Sequence, residues 1–301
     1  MRGPLNWPYV VTFIVIHLAL LLACIPWLFT WTAMITMIVG VHVFGQSITL
    51  CYHRLLTHRS LRVPQWLEHF FVLLSLCCLQ DTPAQWVATH RYHHQHSDQE
   101  KDPHSPRVTF LWSHIGWLMQ YANTVHNSDV LRKYAPDILN DRFYMKLEKG
   151  RRWMWVYVAH AALFFVAGFV VGLVLDGTAV AALRSGLSMV VWGVLVRTVV
   201  VWHITWSVNS LSHLFGYANY HTEDDSRNNW LVALLSVGEG WHNNHHHDPA
   251  SASNHHRWWE FDLTYWEICL LARLGLATDV IRPRHLRHAE RPTPVESDES
   301  H

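Results

Sequence analysis

Three groups of histidines dominate this chain: His53-Arg-Leu-Leu-Thr-His58, His90-Arg-Tyr-His93-His94 and His242-Asn-Asn-His245-His246. Neutral imidazole is a strong ligand for iron, zinc, copper and nickel. The second and third groups share an i, i+3, i+4 spacing, which puts three rings on one face of a helix. His53 and His58 lie five apart and diverge by about 140° on an ideal helix. That divergence suits two neighbouring ions better than one. Eight imidazoles are more than a single ion takes, so the count points to a dinuclear site. Tracts that only sequester metal are contiguous, whereas these groups are separated by long hydrophobic stretches. His17, His42, His160 and His203 sit singly in apolar runs and read as capping or hydrogen-bonded residues.

The elements that must position these rings are membrane helices. Half of the 301 residues are hydrophobic, 17 are Trp, and 15% are charged, against about 25% charged in soluble domains. A mean hydropathy of +0.04 still leaves a large part in water. A span needs about 20 apolar residues, and four segments qualify: about 10–28, 33–51, 153–175 and 187–208. They form two hairpins, with short links near Thr30–Thr32 and Asp176–Gly177. The single Arg2 and a run too long for a signal peptide predict that the first segment is retained. Arg197, inside the fourth span, must face protein or lie near an end.

Four spans leave the N-terminus, residues 53–152 and everything after 208 on one side. Of the 23 Lys and Arg, 13 lie in 53–152 and 7 after 208. The positive-inside rule therefore places that side in the cytoplasm, and all three histidine groups fall there. The fold class expected is an all-α membrane protein: four transmembrane helices in two hairpins, with a cytoplasmic helical cap (53–152 and 209–280) holding the histidines. Leu67 to Leu79 is too short to span and reads as re-entrant or interfacial. Phe110 to Met119 and Trp258 to Ala272 read either as interfacial or as core helices. Residues 281–301 have too little apolar content to fold, which leaves 1–280 as the membrane domain. The net charge of zero recommends no nucleic-acid partner. Cys24, Cys51, Cys77, Cys78 and Cys269 lack CxxC spacing and read as small buried hydrophobes.

These residues resemble the integral-membrane fatty acid desaturases, and more narrowly the Δ9 (stearoyl-type) branch. The resemblance rests on HRLLTH, HRYHH and HNNHH, and on Asp102-Pro103-His104, Asn209-Ser210-Leu211-Ser212-His213 and Gly238-Glu239-Gly240-Trp241. It covers roughly residues 10–280. It implies an oxidoreductase that uses O2 and two iron ions to insert a cis double bond into a saturated acyl chain carried on CoA or on a membrane lipid. The implied metal ligands are His53, His58, His90, His93, His94, His213, His242, His245 and His246, with Asn209 binding through a water. His247 lies outside the pattern, with Asp248 or solvent as its expected neighbour. Asp81, Asp98, Asp102, Glu239 and Asp262 are candidates to orient the rings, each weighed against an ordinary surface or capping role.

Trp86 and Trp241 are candidate walls of an acyl tunnel. Where animal acyl-CoA members carry Arg-Asp before the second group, this chain has Ala88-Thr89, closer to bacterial, cyanobacterial and plant members. The sequence has no flavin or nicotinamide fingerprint and no appended haem domain, so electrons are expected from a separate ferredoxin, cytochrome b5 or similar donor. The alternatives are a membrane hydroxylase on a related scaffold and a non-enzymatic metal-handling protein. A transporter would place polar ligands near the midplane of its spans.

Overall fold

The computed structural model describes residues 3–121 and 127–289, and among these it is helical with no strands. Helix α1 (Trp7–Ala19) tightens into 3-10 turns through Cys24, and Pro26 follows. Thr30 caps α2 (Trp31–Gln46), its Oγ1 accepting from Ala33 N at 3.2 Å. That helix continues without a break as a π-helix over Ser47–Thr57. In the cap follow α3 (Gln65–Leu76), α4 (Pro83–His96), α5 (Phe110–His114), α6 (Ser128–Tyr134), α7 (Pro136–Leu139) and α8 (Arg142–Glu148). The second hairpin is α9 (Arg152–Asp176) and α10 (Ala179–Ser188), which runs through a π segment (Met189–Val196) into α11 (Arg197–Leu211). The chain returns to the cap with α12 (Trp230–Leu235), α13 (His242–His247), α14 (Leu263–Arg273) and α15 (Arg284–Ala289).

Four helical stretches are long and apolar enough to cross a membrane: Trp7–Cys24, Trp31–Thr57, Arg142–Asp176 and Ala179–Leu211. The second extends past the expected end at 51, so His53 rides on the span itself rather than in the cap. The fourth starts at 179 rather than 187, which leaves Gly177 (φ +69°) and Thr178 to make the turn. Across that turn α9 and α10 pack closely because Gly168 and Gly172 lie one turn apart. A Cβ on Gly172 would come within 2.6 Å of Ala181 O, and one on Gly168 within 2.7 Å of Ser185 O. Small residues at this spacing let membrane helices approach backbone to backbone.

Arg197 faces protein, as its cost in lipid requires. It is fully buried, donating to Cys77 O and Gly193 O at 3.0 Å each, with its guanidinium 4.0 Å above the Phe44 ring. The four isolated histidines are all hydrogen-bonded: His160 to Arg197, His42 to Glu267, and His17 to both Phe13 O and His203. None joins the histidine clusters.

Helix α3 buries Leu67, Val72 and Leu76 against the π-helix and exposes Trp66, Phe70 and Leu73. Helix α14 buries Thr264 and Ile268 and exposes Trp266 and Leu270. These half-apolar faces suit the membrane interface, where aromatic rings concentrate. Cys51, Cys77 and Cys78 are buried, but Cys24 is exposed on the first span, contrary to the expectation for it.

The tail expected to be unfolded from 281 is ordered in its first part. Backbone bonds tie Ile281 to Ser60 and Ala252, and Arg284 N and Arg287 bind Asp248. Polar contacts to the cap replace the apolar burial that this segment lacks. Residues 290–301 lie outside the described residues.

Candidate metal centre

The π-helix explains how the first histidine group is arranged. In a π-helix each N–H bonds five residues back rather than four, and His58 N donates to His53 O at 3.1 Å. Carbonyls along the widened turn are taken by side chains. Phe44 O accepts from Ser47 Oγ (2.7 Å), Ser47 O from Ser75 Oγ (2.8 Å) and Tyr52 O from Thr57 Oγ1 (2.7 Å). This winding brings residues five apart onto the same side, with the His53 and His58 ring centroids 4.8 Å apart. The expectation that they diverge towards two ions is therefore wrong. It assumed an α-helix.

Thr82 caps α4, its Oγ1 accepting from Gln85 N at 3.3 Å, with Pro83 in the first turn. Its rings divide between two clusters, as do those of α13. His53, His58, His90, His94 and His245 form one cluster; His93, His213, His242 and His246 form the other. Each helix gives an i, i+4 pair (His90 and His94, His242 and His246) to one cluster and the i+3 histidine between them (His93, His245) to the other. Within a cluster the potential ligand atoms lie within 4.8 Å of one another. The two adjoin, with His94 and His246 centroids 4.6 Å apart. His213, just past α11, completes the second.

Carboxylates stand behind four rings, and three of those contacts are hydrogen bonds, on His93, His213 and His246. Nδ1 of His53 meets Glu239 at 2.6 Å, that of His93 Asp102 at 3.0 Å, that of His213 Asp98 at 2.9 Å and that of His246 Asp224 at 2.6 Å. Such pairs fix the tautomer and make the other nitrogen a better donor to metal. Asp98, Asp102 and Glu239 were candidates for this role. Asp81 and Asp262 have other contacts: Asp81 accepts from Tyr9, and Asp262 caps α14 and binds Arg54. Asp224 escaped the sequence reading, because nothing in the acidic run Glu223–Asp225 distinguishes one carboxylate as a histidine partner.

A cation fits this donor set. Nε2 of His245 lies 3.1 Å from that of His53 and 2.9 Å from that of His94, while His242 Nε2 lies 3.1 Å from His213 Nε2 and 3.0 Å from His246 Nε2. With Nδ1 of His213 and His246 hydrogen-bonded to carboxylates, their Nε2 lone pairs face His242. Imidazole nitrogens gathered this closely would hold a cation between them at ordinary metal–nitrogen distances of about 2.0–2.1 Å. Buried His93 Nε2 and His58 Nε2 have no protein partner. Burial, reinforced by neighbouring rings, pushes His58, His90, His94, His242 and His245 far below the ordinary imidazole range, and His246 down to about 4. They are neutral at physiological pH and available as ligands. Burial raises Glu239, but the His53 ring and Arg54 outweigh it and hold it at about 2.

His247 stays outside both clusters, stacked on Tyr220 at 3.9 Å rather than paired with Asp248. A cavity of about 1000 Å³ runs from the clusters into the span bundle. His53, His90, His242 and Asn209 line it at the metal end, and Phe13, Ile48, Val201 and Trp206 give it apolar walls. Trp86 lines it, stacked on His90 with centroids 5.0 Å apart. Trp241 does not: its ring turns away, Nε1 donating to Phe261 O at 2.6 Å.

Four spans capped by two adjoining histidine clusters define a multi-pass membrane protein with a candidate metal centre. The family model described as "Fatty acid desaturase" matches residues 25–277. Over 280 residues the chain is 42% identical to the sn-1 stearoyl-lipid 9-desaturase of Anabaena variabilis, covering 93% of this chain and 95% of that protein. It is 41% identical to the sn-2 palmitoyl-lipid 9-desaturase of Nostoc sp. (strain 36), with 92% and 90% covered. Against the acyl-CoA 5-desaturase AL21 of Anemone leveillei it is 40% identical, with 86% and 74% covered. The chain belongs to the fatty acid desaturase family and is an acyl desaturase, an oxidoreductase. The hydroxylase alternative is not favoured.

Proposed function

We propose that the two clusters hold two iron ions and that the enzyme introduces a Δ9 double bond into an acyl chain esterified to a membrane lipid. The observation that carries this reading is the position of the paired clusters at one end of an apolar cavity. The balanced reaction takes –CH2–CH2–, O2, two electrons and two protons to –CH=CH– and two waters. Bound iron supplies the O2 reduction that oxidising an unactivated methylene requires. The chain's own part is positional. Nine histidines hold the metals, four carboxylates stand behind their rings, and Asn209 reaches the metal end of the cavity, placed to bind one metal through a water. The apolar walls exclude bulk water and hold one methylene pair before the metals, and such alignment is worth several kcal/mol of barrier.

A lipid carrier is supported by where the cavity reaches. Its lining includes the exposed span residues Val11 on α1, Ile38 on α2 and Val158 on α9, so the cavity is open along three of the spans. A chain can therefore enter from the bilayer with its headgroup left at the interface. The positions that would meet a CoA phosphate in the animal enzymes are the buried Ala88 and the cavity-lining Thr89. Neither offers the forked cation that binds phosphate best. The positive-inside pattern supports a cap in the cytoplasm of a cell with its desaturase in the inner membrane.

Stearoyl-phospholipid and stearoyl-CoA supplied separately to reconstituted enzyme with a competent electron donor test the carrier. Turnover of the phospholipid at least tenfold faster is expected. Efficient turnover of the CoA ester alone, falling steeply with salt as an ionic headgroup contact should, would reject it.

A further inference from the structure

The carboxylates behind the ligand rings are divided unequally. Three stand behind the second cluster, on His93, His213 and His246. The first cluster has Glu239 on His53, and among the described residues His58, His90, His94 and His245 have no carboxylate partner. Glu239 is moreover neutralised. Arg54, almost wholly buried, donates to its Oε1 from Nη2 at 2.8 Å and from Nε at 3.1 Å, and completes its shell with Asp262 Oδ2 (3.0 Å) and Ala252 O (2.7 Å). Glu239, Arg54 and Asp262 together carry one net negative charge.

The other cations do not level the difference. Arg91 stands on the first cluster's side, donating to Thr57 O beside His58 at 3.0 Å with its charge on Asp137. On the second cluster's side Arg107 likewise donates to a backbone carbonyl, Asp98 O at 2.9 Å, with its charge on Asp225. The second cluster therefore faces three carboxylates, and the first about one.

We infer that the two clusters bind metal with unequal affinity, and that the first ion to load enters the cluster of His93, His213, His242 and His246. This rests on the reading of the clusters as a dinuclear metal centre. A carboxylate on Nδ1–H raises the basicity of the coordinating nitrogen, and each such partner is worth roughly 10–100-fold in metal affinity. Two further partners give the second cluster an advantage of about 100-fold or more. The fifth ring of the first cluster works in the opposite direction, but it is a neutral donor set against two full charges. Arg54 has a defined part in this. It is a positioning residue that keeps Glu239 aligned on His53 while cancelling its charge.

The test is an Fe2+ titration of metal-free, detergent-solubilised protein against a chromophoric chelator. The wild type should show two steps separated by about 100-fold or more. His58→Ala should remove the weak step and His213→Ala the tight one. Asp98→Asn and the less buried Asp224→Asn should each weaken the tight step by 10–100-fold and leave the weak step alone. Matching unfolding midpoints of the metal-free proteins separate these effects from misfolding. Two equal steps, or loss of the tight step in His58→Ala, would overturn the inference. Binding of no ion, or of only one per wild-type chain, would instead reject the dinuclear reading beneath it.

Discussion

His93→Ala enzyme is expected to make no detectable unsaturated product and to retain fewer than two metal ions per chain. His93 Nδ1 is fixed on Asp102 at 3.0 Å, and its Nε2 is buried without a protein partner. An unpartnered buried polar atom costs about 1–3 kcal/mol, a cost that a bound cation would remove. Removing the ring takes one of four donors from its cluster, and the proposed reaction needs both ions. The same loss is expected for His53→Ala and His245→Ala in the other cluster. His247→Ala, which removes only a stack on Tyr220, should keep most of its activity. Metal analysis and gas chromatography of the fatty acids check all four variants. A fully active His93→Ala enzyme would refute the ligand assignment, and an inactive His247→Ala enzyme would show that the ligand set is drawn too narrowly.

Iron-loaded enzyme given substrate and O2 alone is expected to complete at most one turnover per centre. Reducing O2 to two waters takes four electrons, and the two C–H bonds broken supply two. The remaining pair must come from outside the reaction centre. Within the sequence there is no flavin or nicotinamide fingerprint and no CxxC pair. Cys77 and Cys78 are no substitute. Burial pushes their thiols up to about 12 and 11, so neither is the thiolate that redox exchange requires. Adding a ferredoxin or cytochrome b5 with its reductase should convert the single turnover into continuous product formation. Product yield per centre, measured with and without that donor, decides the matter, and sustained turnover without it would contradict the account.

The histidines were legible in the sequence because ligand spacing is local. Their division between two clusters was not. It depends on a π-helix from Ser47 to Thr57, stabilised by hydroxyls from Ser47, Thr57 and the distant Ser75. Hydrophobic length located the four spans, but not their ends. Thr178 caps α10 well before the apolar run around 187 begins, and the second span continues through the polar residues that carry His53. Carboxylate partners were legible where they adjoin a motif, as Asp98, Asp102 and Glu239 do. Asp224 is brought to His246 by the fold of the 214–241 segment, and no local pattern marks it. Trp241 stands beside His242 in sequence, yet the turn into α13 rotates its indole onto Phe261 O. Adjacency along the chain gave no guide to which ring faces the cavity.

The central claim is that this chain desaturates acyl chains at a histidine-held metal centre. It is tested most directly by fatty acid analysis of a desaturase-deficient host expressing the protein, with the His93→Ala variant alongside. A monounsaturated C18 product with its cis double bond at carbon 9 is expected with the wild type and absent with the variant. Hydroxylated chains in place of alkenes, or a lipid profile unchanged by well-expressed, iron-replete wild-type protein, would contradict it.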